Sequence, residues 1–122
     1  MIPKIETSSV AEIKAFQEDK LQELLVYLQN HSPYYRELFL KNQIEINQIK
    51  TLEQLQNLPI TTKTDIQLNN DSFFCVPMNE IIDYATTSGT LGDPVTFGLT
   101  DNDLERLAYN EMISFQCAGI QK

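Results

Sequence analysis

TTSGTLGDPVTFGLT, Thr86 to Thr100, crowds hydroxyls and glycines between two strand-forming runs. A turn between two strands needs one or two special residues, and this stretch carries more than that. IIDYATT before it and VTFGLT at its end are rich in branched and aromatic side chains, the composition of strands. The stretch therefore predicts a hairpin, from about Ile81 to Leu99, with a loop longer than the minimum. Gly89 and Gly92 can supply positive-φ turn positions, and Asp93-Pro94 can close the turn. A second reading of the same residues is an anion-wrapping loop. Successive backbone N–H groups in such turns converge on an anion, and Thr87, Ser88 and Thr90 add hydroxyl donors. Glycine lets the ligand approach the backbone closely. The loop is not a Walker A sequence, because no lysine follows Gly92.

Outward from this stretch, the C-terminal side reads as a helix. Thr100 is its cap, Asp101 and Asp103 place negative charge in its first turn, and Leu104, Leu107, Ala108, Met112 and Phe115 form its apolar stripe. Glu111 interrupts that stripe as an edge residue or as a partner for a polar group elsewhere. Gly119 is a stop signal. On the N-terminal side, FFCVP, Phe73 to Pro77, is β-prone, and upstream of it the pattern turns helical.

Ile13, Phe16, Leu21, Leu24, Leu25 and Leu28 lie on one side of a helical wheel, with charged residues mostly opposite. Ser9 with Glu12 forms a capping box, which places the first helical residue near Val10. Pro33 forbids its continuation past Asn30–Ser32. Ser32-Pro33 then opens a short helix bearing Tyr34, Tyr35, Leu38 and Phe39. Thr51 with Gln54 and Thr62 with Asp65 repeat the capping signal, separated by an extended Leu58-Pro59-Ile60 connector. The expected fold class is α+β: mostly short helices with one β-hairpin that carries the glycine loop. Residues 1–70 form a helical region, and residues 71–122 hold the hairpin and the C-terminal helix.

Composition narrows the partners. The chain has 122 residues, 42% of them hydrophobic and 21% charged, which suits one small folded domain. A net charge of −8 argues against nucleic acid as a partner. No apolar run reaches membrane-spanning length, and the first residues lack the apolar core of a signal peptide, so the cytoplasm is expected. Cys75 and Cys117 stand far apart with no metal-site spacing and read as two reduced thiols, so no metal site is expected from the residues.

Thr87-Ser88-Gly89-Thr90-Leu91-Gly92-Asp93-Pro94 resembles the phosphate-binding loop of the adenylate-forming superfamily, commonly written TSGTTGKP. SPYYRELF at Ser32–Phe39, LPITTKTDI at Leu58–Ile66 and the TxxDLERLA pattern at Thr100–Ala108 resemble, in order, the phenylacetate–CoA ligase family. The resemblance implies an ATP-dependent, AMP-forming acid–CoA ligase, of which residues 1–122 would be the N-terminal piece of a larger α/β adenylation domain. It implies ATP, Mg²⁺ and CoA for the full-length parent, with a small carboxylic acid as substrate. It makes Thr87, Ser88, Gly89, Thr90 and Gly92 phosphate binders. It assigns no catalytic residue to this chain, which on its own is expected to be inactive.

Two positions depart from the pattern. Leu91 replaces a hydroxyl-bearing residue. Asp93 stands where lysine or arginine is usual, a repulsion toward polyphosphate of about 1–4 kcal/mol before screening. Lys63 reads as a solvated helix-start lysine and His31 as a helix-end residue. The alternatives are a non-enzymatic helical interaction module and a related adenylate-forming enzyme with an acceptor other than CoA. Exposed hairpin edges, finally, predict that the chain alone forms a homo-oligomer.

Overall fold

A helix that begins where its cap predicts organises the first half of the chain. The computed structural model describes residues 4–89 and 93–120. These divide into two compact units, one running to Cys75 and the other from Val76.

In the first unit, α1 (Val10–His31) starts on a complete capping box. The Ser9 hydroxyl oxygen accepts from the Glu12 N–H, while the Glu12 carboxylate accepts from the Ser9 N–H. Ser32 ends α1 and begins α2 (Pro33–Lys41), with Pro33 in the first helical position. Its backbone N–H closes the last turn of α1 onto the Leu28 carbonyl, and its side chain accepts from the Tyr35 N–H. Thr51 and Gln54 do form a capping box, but the element they open is a 3₁₀ helix, Leu52–Asn57. Thr62 and Asp65 cap α3 (Lys63–Asn69).

The core of this unit is Leu21 and Leu25 of α1, Phe39 of α2, Ile46 of the following 3₁₀ turn (Ile46–Gln48) and Ile49 at its C-cap. Leu28, Tyr35, Ile44, Leu52 and Leu58 pack around them. The apolar arc read from the α1 wheel is thus only partly covered, for Phe16 and Leu24 are exposed. A wheel gives the phase of a helix, whereas the neighbours decide how wide an arc they cover. Phe73 stacks on Tyr34 with ring centroids 4.0 Å apart and meets Tyr35 edge-on at 5.8 Å, geometries that aromatic quadrupoles favour. FFCVP is not a strand. Phe73 ends a 3₁₀ turn (Asn70–Phe73), and among the described residues no strand pairs with residues 74–77. The apolar character of Phe73 serves ring packing.

The second unit is the hairpin and a helix. β1 (Asp83–Thr86) and β2 (Thr96–Leu99) pair antiparallel, with Asp83 opposite Leu99 and Thr86 opposite Thr96. Ile82 N–H to the Leu99 carbonyl and Thr87 N–H to the Val95 carbonyl extend the pairing at both ends. α4 (Asp101–Cys117) opens on a Thr100–Asp103 capping box, and Gly119 stands at φ +81°, the left-handed stop expected of it. α4 has no buried residue, and Leu104, Leu107 and Phe115 of its stripe are exposed. Among the described residues no helix is long and apolar enough to cross a membrane.

Candidate phosphate-loop site

The hairpin brings Thr87, Ser88 and Gly89 together at the end of β1. Thr87 is half-buried, Ser88 is exposed and Gly89 is half-buried. Gly89 lies at φ +62°, where a side chain is strained. The left-handed turn predicted for this glycine is therefore present. Thr90, Leu91 and Gly92 lie outside the described residues, so the expected phosphate-facing roles of Thr90 and Gly92 rest on sequence. Asp93 is exposed on the far side of the loop.

Register and side-chain chemistry together hold the neck of this loop. Thr87 N–H donates to the Val95 carbonyl at 3.0 Å, and Val95 N–H donates to Thr87 Oγ1 at 3.0 Å. Val95 is 1% exposed, so both bonds close on one of the most sequestered side chains of the protein. Sequence reasoning treated Thr87 only as a ligand donor and missed this second bond. The signal for it was the near-symmetry of the two strands about the loop, which places residue 87 opposite residue 95.

Past β2, the chain turns directly into α4. Bonds from the Thr100 backbone and hydroxyl hold the Asp103 carboxyl below its usual range, with Arg106 adding a weaker pull. This carboxylate is engaged in its cap.

The remaining candidate groups have the following surroundings. Lys63 is exposed in the first position of α3. His31 is exposed in the last turn of α1, its ring stacked on Tyr27 at 4.4 Å and its Nδ1 2.9 Å from the Tyr27 carbonyl. A cation or donor there complements the helix end. Glu111 is exposed. Cys75 and Cys117 are free thiols. Burial pushes the Cys75 thiol up, against a smaller opposing effect of the Ser32 hydroxyl, so it is a poor nucleophile. Among the described residues, no group of three or more His, Cys, Asp or Glu is placed to hold a metal ion.

No protein-family model matches the chain. Curated relatives match nearly all of it. A phenylacetate–coenzyme A ligase of Thermus thermophilus is 33% identical over 118 residues, which is 96% of this chain and 26% of the relative. A phenylacetate–coenzyme A ligase of Escherichia coli K12 is 34% identical, over 94% of this chain and 26% of the relative. Among solved structures, 2-hydroxyisobutyryl-CoA ligase in complex with 2-HIB-AMP and CoA in the thioesterification state superposes with a TM-score of 0.80 and 30% identity. That match covers 88% of this chain and 24% of the other. The chain thus spans about a quarter of the length of the curated relatives it matches.

Proposed function

We propose that this chain, kin over nearly its whole length to phenylacetate–coenzyme A ligases, is one portion of an ATP-dependent, AMP-forming acid–CoA ligase. In this reading residues 1–70 are scaffold and residues 71–122 carry the phosphate loop, in a protein of the cytoplasm. The observation that carries it is the hairpin neck. A left-handed Gly89 follows two hydroxyl residues, in a chain 88% of which superposes on a ligase solved in complex with 2-HIB-AMP and CoA.

The reaction is a two-step exchange at phosphorus and then carbon. A carboxylate oxygen attacks the α-phosphorus of ATP, and pyrophosphate leaves with the bonding electrons. The CoA thiol then adds to the acyl carbon, loses its proton and displaces AMP. This chain contributes electrostatics to the first step. The Ser88 and Thr87 hydroxyls and the loop N–H groups would donate to β- and γ-phosphate oxygens and stabilise the charge that builds on the leaving pyrophosphate. Magnesium would neutralise part of the same charge.

The reading frame that encodes the chain is expected to continue into the rest of an adenylation domain. Its full-length product is expected to catalyse carboxylate-dependent ATP–pyrophosphate exchange, and this chain alone to remain at background, since positioning of acid and α-phosphate needs the rest of the site. Gly89→Ala in the full-length protein is expected to reduce exchange strongly, because alanine is strained at φ +62°. Leu91→Thr should leave exchange close to the parent. Exchange by the purified 122-residue chain, or an unaffected Gly89→Ala enzyme, would refute the proposal.

A further inference from the structure

We infer that Thr87 is a positioning residue: its hydroxyl oxygen takes the place of a backbone carbonyl in the hairpin ladder and thereby sets the backbone of Ser88 and Gly89. The inference rests on the phosphate-loop reading and deepens it.

The register from Asp83↔Leu99 to Thr86↔Thr96 makes Thr87 and Val95 the next facing pair. In a hydrogen-bonded antiparallel pair the two residues exchange N–H···O=C bonds in both directions. Here one direction is regular, Thr87 N–H to the Val95 carbonyl. The return bond from Val95 N–H ends on Thr87 Oγ1 instead. The ladder is thus completed by a side chain at the point where the chain leaves β1 for the loop. That substitution lets the backbone after Thr87 depart from the strand path while the Val95 N–H remains satisfied. Gly89 follows two residues later in the left-handed region.

Residue type fits the task. A threonine hydroxyl has one proton and two lone pairs, so accepting from Val95 leaves its proton to donate. Branching at Cβ restricts χ1, which holds the oxygen over Val95 with few competing rotamers. Serine keeps the oxygen and loses the branch. Valine keeps the branch and loses the oxygen.

The test uses the ¹⁵N-labelled full-length protein in two arms, amide hydrogen exchange and titration with inorganic pyrophosphate in the millimolar range. Thr87→Val is expected to speed exchange of the Val95 amide roughly tenfold, with the Leu107 amide of α4, in the same unit, unchanged as a check on the fold. Pyrophosphate-induced shifts of the Ser88 and Gly89 amides are expected in the parent and lost in Thr87→Val. Thr87→Ser should restore both. Parent-like exchange at Val95 in Thr87→Val would overturn the clamp. Faster exchange with undiminished pyrophosphate shifts would overturn the positioning role and leave a plain structural bond. An unresponsive parent would overturn the phosphate reading and positioning together, while the exchange arm still decides whether the clamp exists.

Discussion

Replacing Ser32 by alanine should destabilise the helical unit more than replacing any other capping residue, because this side chain serves two elements from a buried position. Ser32 is 1% exposed. Its Oγ accepts from the Tyr35 N–H at 3.3 Å and donates to the Ser72 carbonyl at 3.2 Å, tying the start of α2 to the segment that carries Phe73. Loss of an N-cap oxygen costs about 1 kcal/mol. The Ser72 carbonyl, only partly buried, loses a donor that water replaces incompletely, which adds roughly 0.5–1 kcal/mol. Alanine keeps the backbone bonds to Leu28 and from Arg36 and also removes the hydroxyl's interaction with the Cys75 thiol. The expected loss is about 1.5–2 kcal/mol. Ser9→Ala supplies the comparison: the same capping chemistry on an exposed residue, where water takes over, should cost about 0.5–1 kcal/mol. Urea unfolding followed by far-UV circular dichroism, to which α1 contributes most, measures both. Equal losses in the two variants would refute the argument that burial of the second bond doubles the effect.

Three further outcomes are expected. Glu53 is held down from 4.5 to about 2, first by the hydrogen bond from Lys14 Nζ at 2.6 Å. A carboxyl lowered in the folded state stabilises fully above its unfolded value, and the contribution is lost as pH falls from about 4.5 to about 2. Glu53→Gln should therefore flatten the acid limb of a stability–pH curve in that window, and an unchanged limb would show that the pair contributes nothing. Leu25→Ala should cost roughly 2–5 kcal/mol, since Leu25 is 3% exposed at the centre of the core; thermal or urea unfolding checks it, and a loss under 1 kcal/mol would mean that the core collapses around the gap. The chain alone should self-associate through the second unit, more strongly as salt screens its charge of −8; light scattering over concentration and salt tests this, and a monomer at the highest soluble concentration would refute it.

What was legible in the sequence was local chemistry. A capping box needs only residues three apart, and Ser9–Glu12, Thr51–Gln54 and Thr62–Asp65 all form one, while Thr100 caps α4 as expected. Pro33 and Gly119 act within one turn and fall where expected. Features that depend on partners were less legible. Thr51 opens a 3₁₀ helix and not an α-helix; six residues before the Leu58-Pro59 connector leave little room for a longer element. FFCVP has strand composition but no strand to pair with among the described residues, and Phe73 packs its ring on Tyr34 and Tyr35. In the candidate site, Gly89 was legible because positive φ is a property of one residue. The Thr87–Val95 bond was not, because it exists only once the register is set.

The two units also differ in what holds them. The first has a contiguous apolar core of five buried side chains and a second layer around it, enough to define helices too short to persist alone. The second, among the described residues, buries one apolar side chain, Val95, while all four residues of β1 and Leu104, Leu107 and Phe115 of α4 are exposed. An isolated two-stranded hairpin is marginal in water. Its definition here comes from local devices: the Thr87–Val95 exchange, the Thr100–Asp103 cap and the Gly119 stop. Such devices shape a backbone without burying much surface. A loop built this way can be aimed accurately and still leave its apolar faces for other polypeptide to cover. That is the economy expected of a segment that accounts for a quarter of its relatives' length and, in the proposed ligase, presents phosphate donors to a site whose other walls lie elsewhere in the protein.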